Sequence, residues 1–340
     1  MAVCSIKCTL ILNSLLNKQR EDYYLMSTTN SEYKTRFRLN KNILYMLMLL
    51  PGVIWFICEM YLPLFGLILA FKQFHFYRGG FFYSLFKSKW VWFDNFTYLF
   101  SSHEAWVITR NTLGYNIVFI LLGTFLSVFL AIGFSQMLNK KLSKLFQTLI
   151  FCPYFITPVV IGYLVMSFMS YEHGAVNGLL KLFNITPINW YNEQGVWPYI
   201  LVIVDMWWTI GYSSIIYLAA ILGIGQQLYE AAEIEGASKW QQIRFITIPS
   251  IKPMIIVMVL IAIGGIFQGN FGLFYFAPMK SGSLFPVTQV INTYTFRALM
   301  FTSNVGMTSA ACLYQSVMGL ILVFVFNGSL RKFDPENAQF

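Results

Sequence analysis

Charged side chains are scarce in this chain. Asp, Glu, Lys and Arg make up 11% of its 340 residues, whereas hydrophobic residues make up 57%. Soluble globular domains carry about 25% charged residues, so the composition argues against a soluble globule. Cysteine and histidine are also few, at five and three. None has the spacing of a metal site apart from a bare Cys4-x-x-x-Cys8, and no disulfide framework is implied.

Sequence motifs for catalysis are missing as well. No Gly-x-x-x-x-Gly-Lys-Ser/Thr occurs, so the chain itself cannot cradle the phosphates of ATP. The apolar segments hold no His/Glu metal cluster, Ser/His pair or paired Asp motif, which argues against an intramembrane enzyme. Only two acids, Glu59 and Asp205, fall inside those segments, and no internal repeat is visible. Ion-coupled secondary transporters usually need several such acids or repeated halves, so this class is a less favoured alternative.

Long uncharged runs dominate what is present. A membrane-spanning helix needs about 20 apolar residues, and six runs qualify. The predicted fold is therefore an all-α polytopic membrane protein with six transmembrane helices in a domain at 43–330. The predicted spans are 43–71, 112–137, 145–170, 198–222, 253–276 and 305–326.

The distribution of basic residues predicts the topology. The net charge is +9, and most of the 23 Lys and Arg residues fall in four segments: 1–41, 140–144, the loop at 223–252, and 331–332. The positive-inside rule then places these segments and both termini in the cytoplasm. A nucleic-acid partner is not expected, because no basic recognition motif is present.

The two ends of the chain lie outside the predicted spans. Residues 1–42 are expected to form a partly disordered cytoplasmic extension, with either Met1 or Met26 as the true start. Residues 331–340 are expected to form a cytoplasmic tail.

The polar loop at 223–252 carries the most specific pattern. It contains Glu230-Ala231-Ala232 and Gly236, and Pro249 follows thirteen residues after that glycine. Residues 226–235 are rich in helix formers, Gly236 permits a positive φ and a reversal, and Pro249 can begin the next helix without losing a hydrogen bond. These features predict a rigid hook of helix, turn and second helix.

This pattern resembles the Glu-Ala-Ala-x-x-x-Gly…Pro loop of the permease subunits of bacterial binding-protein-dependent ABC importers. The segments 215–222, 290–299 and 313–319 are similar to the polysaccharide and oligosaccharide branch of that family. The resemblance implies the type I importer permease fold and a multi-pass location in the bacterial plasma membrane. Two residues depart from the family pattern: Glu235 stands where Asp is common, and Asn270 where Asp is expected.

The resemblance implies a subunit rather than a complete transporter. The chain is expected to pair with a second, homologous permease subunit and with two copies of a cytoplasmic ATPase. ATP and Mg²⁺ would bind to the ATPase, and no cofactor to this chain. An extracellular solute-binding lipoprotein is expected to deliver a saccharide; a non-sugar solute is the alternative cargo. The expected ATPase-coupling residues are Glu230, Ala231, Ala232, Glu235, Gly236, Ala237, Ile248 and Pro249.

Polar residues inside the spans are the candidates for the solute pathway. Asp205 should face the bundle interior, because an ionised group at bilayer depth costs ~3 kcal/mol or more unless it faces protein or water. Its expected role is to accept hydrogen bonds from sugar hydroxyls, with Trp208 and Tyr212 stacking on the rings. Gln268 and Asn270 are the other candidates, in a glycine-rich stretch where an opened helix would expose backbone carbonyls. For each, a plain polar contact between helices is the alternative.

Overall fold

Helices make up most of the protein in the computed structural model, which describes residues 43–101 and 103–333. Two short strands, β1 at Lys72–Gln73 and β2 at Lys89–Trp90, form an antiparallel pair. The α-helices begin with α1 at 43–56. The others are α2 Gly80–Lys87, α3 Asp94–Ser101, α4 His103–Gln136, α5 Lys140–Phe151, α6 Pro158–Met169, α7 Ala175–Leu182, α8 Trp197–Leu222, α9 Gln226–Ile234, α10 Lys239–Gln242, α11 Ile248–Gly264, α12 Phe271–Phe276, α13 Phe285–Thr288, α14 Ile291–Arg297 and α15 Val305–Phe333.

The predicted class, an all-α membrane protein, is confirmed. Within the described residues, five helical segments are long and apolar enough to cross a membrane, and a bent pair of helices supplies a sixth. The five are Ile43–Phe71, Glu104–Gln136, Trp197–Leu222, Lys239–Gly264 and Val305–Lys332, and the bent pair is Lys140–Phe155 with Pro158–Met169.

The first span, up to Gly66, belongs to a unit of its own. After α1 its helix widens into a π turn at Ile57–Tyr61 and then tightens into a 3₁₀ helix at Leu62–Phe71. Glu59 lies in the π turn, and Pro63 lies just after it. A proline lacks an N–H, and local π or 3₁₀ winding lets the remaining backbone groups find partners inside a membrane.

The span predicted as one helix at 145–170 is two helices that meet at 100°. A 3₁₀ turn at Cys152–Phe155 follows α5, and Ile156 and Thr157 are extended, with ψ of 130° and 148°. Because a residue before proline is driven out of the helical region, Pro158 ends one helix and begins the next.

The second unit begins at Leu67, and α4 and α8 lie at its centre. One core cluster joins the first halves of these helices through Tyr115, Trp197 and Leu201. Another joins their last turns through Phe134 and Tyr217. The two helices therefore run in the same direction, and both end on the side of the hook at 226–247.

Helix α15 approaches α11 more closely than any side chain would allow. A Cβ added to Gly319 would lie 2.4 Å from the carbonyl oxygen of Gly264. Small residues permit this backbone-to-backbone packing in membranes, where dispersion contacts rather than the hydrophobic effect hold helices together. The end of α11 is therefore fixed against the middle of α15.

Candidate functional site

A polar cavity of about 370 Å³ lies among α4, α8, α11 and the non-helical segment at 265–270. Amide and hydroxyl groups line much of it, and Asp205 is the one charged residue among the lining residues of the described chain. The lining residues are Asn116, Phe119, Ile120, Gly123, Thr124, Asp205, Thr209, Ser213, Tyr217, Met258, Ala262, Gly265, Gln268, Gly269 and Asn270. We call this the central cavity.

Helix α8 presents a single polar face to the central cavity. Asp205, Thr209 and Ser213 are four residues apart and so stack along one side of the helix. Asp205 is only 5% exposed, as expected for an acid that faces the bundle interior.

Two aromatic pathway candidates, Trp208 and Tyr212, do not line this cavity. Trp208 packs against the core cluster that contains Tyr115, and its indole Nε1 is buried without a hydrogen-bond partner among the described residues. Tyr212 stacks on Tyr154 with ring centroids 4.5 Å apart and is 41% exposed. Residues three and seven positions after Asp205 lie on the same side of α8, so it is their packing against the Tyr115 cluster and Tyr154, not the helical spacing, that keeps them out of the cavity lining.

Asn270 connects the acid to the break after α11. Its Nδ2 donates to Asp205 Oδ1 at 3.3 Å, and its Oδ1 accepts from the backbone N–H of Leu273 at 3.2 Å. The same side chain therefore caps the N-terminus of α12 and gives Asp205 a partner. Gln268 also lines the cavity and is exposed. The structure thus brings three of the five pathway candidates together.

Three side-chain amides support the backbone where the helix is broken. Asn116 donates to the carbonyl of Ile266 at 2.9 Å, and Gln315 donates to that of Phe267 at 2.8 Å. Asn292 donates to the carbonyl of Gly269 at 3.4 Å and accepts a second bond from Gln315 at 2.8 Å. Non-helical backbone at membrane depth is tolerated only where it is buried in protein or lines a cavity, and here it does both.

Sequence reasoning did not single out Asn116, Asn292 or Gln315. The available signal was an amide side chain within or beside an apolar run, and these three lie far apart in the chain. Thr209 and Ser213 were missed too, although their spacing from Asp205 marks one helical face. A cavity lined by neutral amides, hydroxyls and one acid can exchange hydrogen bonds with a polar solute without fixing a strong charge.

The hook begins with α9, which ends in a Schellman motif. Gly236 has φ of +80°, its N–H bonds to the carbonyl of Glu233 at 3.0 Å, and the N–H of Ala237 bonds to that of Ala232 at 2.9 Å. This pair of bonds satisfies the open carbonyls at the helix end and requires a left-handed residue, which glycine supplies without strain.

The second arm of the hook starts at once. Ser238 caps α10 and forms a capping box with Gln241. Glu233 on the first arm pairs with Lys239 on the second, and the hydrogen bonds from Lys239 and Gln242 lower the pKa of the Glu233 carboxyl. Farther along, the hydroxyls of Tyr229 and Thr247 are 2.9 Å apart. These contacts hold the two arms as one body.

The second arm does not stop at Pro249. Helix α10 passes through a π turn at Ile243–Thr247 directly into α11, so that 239–264 is one helical segment. Pro249 falls in the first turn of α11, directly after this π turn. The span predicted at 253–276 is therefore longer on the hook side and ends at Gly264, where the break begins.

The predicted coupling residues lie on the outside of this hook. Glu230, Ala231, Glu235 and Gly236 are exposed, whereas Ala232 and Ala237 are partly buried at the turn; Ile248 and Pro249 are exposed beyond the π turn. Large apolar side chains also face outward: Ile234 is 89% exposed and Trp240 68%. An apolar tip on a rigid polar hook is a surface that a protein partner can cover.

Comparison with known proteins agrees with this architecture. A family model described as "Binding-protein-dependent transport system inner membrane component" matches residues 123–337. The polygalacturonan/rhamnogalacturonan transport system permease protein YteP of Bacillus subtilis (strain 168) is 30% identical over 292 residues, which cover 85% of this chain and 88% of that protein. Protein LplB of the same organism is 28% identical over 290 residues, covering 85% and 89%.

Solved structures give the same result. A crystal structure of a bacterial ABC transporter involved in the import of the acidic polysaccharide alginate contains a chain that is 30% identical to this one. The TM-score is 0.77, and the match covers 87% of this chain and 97% of that one. A second structure of that kind of transporter, in complex with a periplasmic protein that holds an alginate pentasaccharide, matches with a TM-score of 0.76.

The predicted type I importer permease fold is thereby confirmed, as is the location in the membrane as a multi-pass protein. The chain is a transport component and not an enzyme. It belongs to the family of inner membrane components of binding-protein-dependent transport systems.

Proposed function

We propose that this chain is the permease subunit of an ATP-driven importer of oligosaccharides or polysaccharides. The central cavity carries the proposal: amides, hydroxyls and one hydrogen-bonded acid suit the many hydroxyl groups of a sugar. The cargoes named for the relatives, polygalacturonan or rhamnogalacturonan and alginate, are saccharides too.

The chain would supply half of the pathway, and a second, homologous permease subunit the other half. Two copies of a cytoplasmic ATPase would bind ATP and Mg²⁺, since this sequence has no phosphate-binding motif of its own. The exposed hook would seat in the ATPase through Glu230, Ala231 and the Gly236 turn. A solute-binding lipoprotein would deliver the saccharide on the opposite side, as the periplasmic protein in the alginate complex suggests.

Substitution at Gly236 tests the coupling role. The φ of +80° makes any side chain there strained, although a Cβ would meet no atom within 4 Å. Gly236→Trp is therefore expected to insert normally into the membrane and to lose ATP-driven uptake, because the strain and the added bulk fall at the docking turn. Gly225→Trp is the matched control, since Gly225 caps α9 with an ordinary φ of −59° and equally open surroundings.

The assay is uptake into proteoliposomes that hold the complete transporter, with radiolabelled oligosaccharides, dipeptides and amino acids offered separately. Saccharide uptake that falls in Gly236→Trp and persists in Gly225→Trp supports the proposal. Wild-type uptake by Gly236→Trp contradicts the coupling assignment. Import of a peptide or amino acid, with no saccharide taken up, contradicts the cargo assignment.

A further inference from the structure

A second, larger cavity lies on the side of the molecule opposite the hook. Its volume is about 750 Å³, within the range of small-ligand pockets, ~300–1,000 Å³. The segments that line it are the starts of α4 and α15 and the stretch from α12 to the π turn at Ala298–Thr302. Since α11 leads from the hook to this stretch, the cavity faces the side from which cargo would arrive. We call it the outer cavity.

Two basic side chains line the outer cavity, and neither forms a salt bridge within the described residues. The Arg297 guanidinium lies 3.8 Å from the ring centroid of Phe285, and Lys280 Nζ lies 5.0 Å from that of Tyr275. Among the described residues, neither has a carboxylate within salt-bridge distance. Cation–π contact orients a cation but leaves its hydrogen-bond donors free for a ligand.

Partial burial favours an anionic partner for Arg297. Arg297 is half-buried, and desolvation lowers the pKa of its guanidinium, an effect that the negative charge of Glu104 partly offsets. Arginine stays protonated in proteins, so an anion that binds beside Arg297 offsets part of the cost of burying its charge. Glu104 is the one acid in the cavity lining among the described residues, against two cations, so the cavity keeps a net positive charge.

The loop that carries Lys280 is held in an unusual conformation. Met279 and Lys280 both have positive φ, 49° and 56°, a conformation that is strained for residues with a side chain. Hydrogen bonds from Ser281 and Ser283 to the carbonyl of Tyr191, at 3.2 and 2.8 Å, hold the loop in place. A strained but anchored loop presents Lys280 to the cavity without further ordering on binding.

The remaining lining fits a sugar rather than a simple ion. Gln289 and Asn304 offer amide donors and acceptors, and the ring of Phe301, 84% exposed at the cavity, offers a flat apolar face. By contrast, the central cavity holds the acid Asp205 and no cation among its described lining residues. A carboxylate-bearing sugar is therefore favoured in the outer cavity and disfavoured as a resting ligand at the centre.

We propose that the outer cavity binds a uronic-acid residue of an acidic saccharide, with Arg297 and Lys280 holding the carboxylate and the amides and Phe301 contacting the sugar ring. This inference rests on the proposed saccharide import. It adds that the cargo carries a negative charge and that the outer cavity is where this charge is recognised. Arginine suits the role, because its fork of donors matches a carboxylate in two parallel bonds.

The test is direct binding to the complete transporter in nanodiscs of phosphatidylcholine, measured by calorimetry. The probes are trigalacturonate and trimannuronate, each compared with its carboxyl-reduced neutral counterpart. The wild type is expected to bind at least one uronate at least about tenfold more tightly than its neutral counterpart, as for a hydrogen-bonded charge pair. Arg297→Gln and Lys280→Gln should lower this preference toward one. Arg78→Gln, an exposed cation outside the cavity, should leave the preference intact.

Three results would overturn the inference. Equal affinity of the wild type for charged and neutral sugars would contradict the inference. So would a loss of the uronate preference in Arg78→Gln as large as that in Arg297→Gln. Binding of phosphatidylglycerol that depends on Arg297, with no preference for uronate, would make the cavity a lipid site instead. Neutral sugars that bind without any uronate preference refute this inference alone, whereas failure of every saccharide to bind or be imported refutes the proposed function as well.

Discussion

Loss of the Gln315 amide should loosen the broken segment that shapes the central cavity. Gln315 is 5% exposed and donates two hydrogen bonds of 2.8 Å, to the carbonyl of Phe267 and to the side chain of Asn292. Gln315→Met keeps the length of the side chain and removes both donors. Two acceptors then lose their partner in a buried place, and Asn292 loses the contact that orients it toward Gly269.

The expected loss of stability follows from the hydrogen-bonding groups that the substitution leaves unpaired. A buried unsatisfied polar group costs about 1–3 kcal/mol, while side-chain hydrogen bonds between membrane helices average only ~0.6 kcal/mol. For two bonds made by one side chain we expect Gln315→Met to lower the free energy of unfolding by about 1–3 kcal/mol. The amides at 265–270 should also exchange hydrogen faster, because their segment depends on this support.

The assay is equilibrium unfolding in mixed micelles followed by circular dichroism, with hydrogen exchange on the same samples. Ser316→Ala is the control, since the Ser316 hydroxyl bonds only to the carbonyl of Cys312 in its own helix, at 2.9 Å. If Gln315→Met and Ser316→Ala are equally stable and the exchange at 265–270 does not change, the amides do not support the break.

Two further substitutions test the packing of α15 and the cap of the hook. In the same unfolding assay, Gly319→Ala should destabilise the chain by about 1–3 kcal/mol, because the added methyl group overpacks against Gly264. Gly328→Ala is the control: it lies in open surroundings on the same helix, so its stability should be unchanged or rise by up to ~1 kcal/mol. Ser238→Ala removes the capping box and should cost ~1 kcal/mol, seen as roughly fivefold faster hydrogen exchange in the hook. Ser250→Ala loses only a bond within its own helix and should exchange hydrogen like the wild type. Equal stability of Gly319→Ala and Gly328→Ala, or equal exchange in Ser238→Ala and Ser250→Ala, would contradict the structural reasoning.

Most of the helices could be predicted, because a membrane span is visible in the sequence as a run of apolar residues. The hook was predicted in detail as well, since its helix formers, the glycine and the proline are local signals. The bend at Pro158 was harder, because a proline inside an apolar run marks either a kink or a helix start, and only the packing around Ile156 and Thr157 decides. The end of α11 at Gly264 was not predicted, because the side chains that bond to the broken backbone after it lie elsewhere in the chain.

The central cavity shows more clearly what could not be predicted from the sequence. Asp205, Gln268 and Asn270 stood out as polar residues in apolar segments, and they do meet. Trp208 and Tyr212 were proposed from nearness in sequence, and they do lie on the same side of the helix as Asp205, but their rings pack against residues of other helices, which the spacing alone does not show. The amides of Asn116 and Gln315 come from helices on either side of the break, and no local pattern shows that they converge on it.

The hook and the central cavity are two ends of one element. The segment Lys239–Gly264 is 26 residues long, which corresponds to about 39 Å at 1.5 Å per residue. Its first turn belongs to the hook, and its last residue is where the broken segment of the cavity starts and where α15 approaches through Gly319. A movement of the hook would therefore either shift the segment at 265–270 or bend the helix near Pro253, the proline in the interior of α11. Because Asn270 in that segment donates a hydrogen bond to Asp205 of α8, a shift there changes the hydrogen bonding of Asp205 in the central cavity.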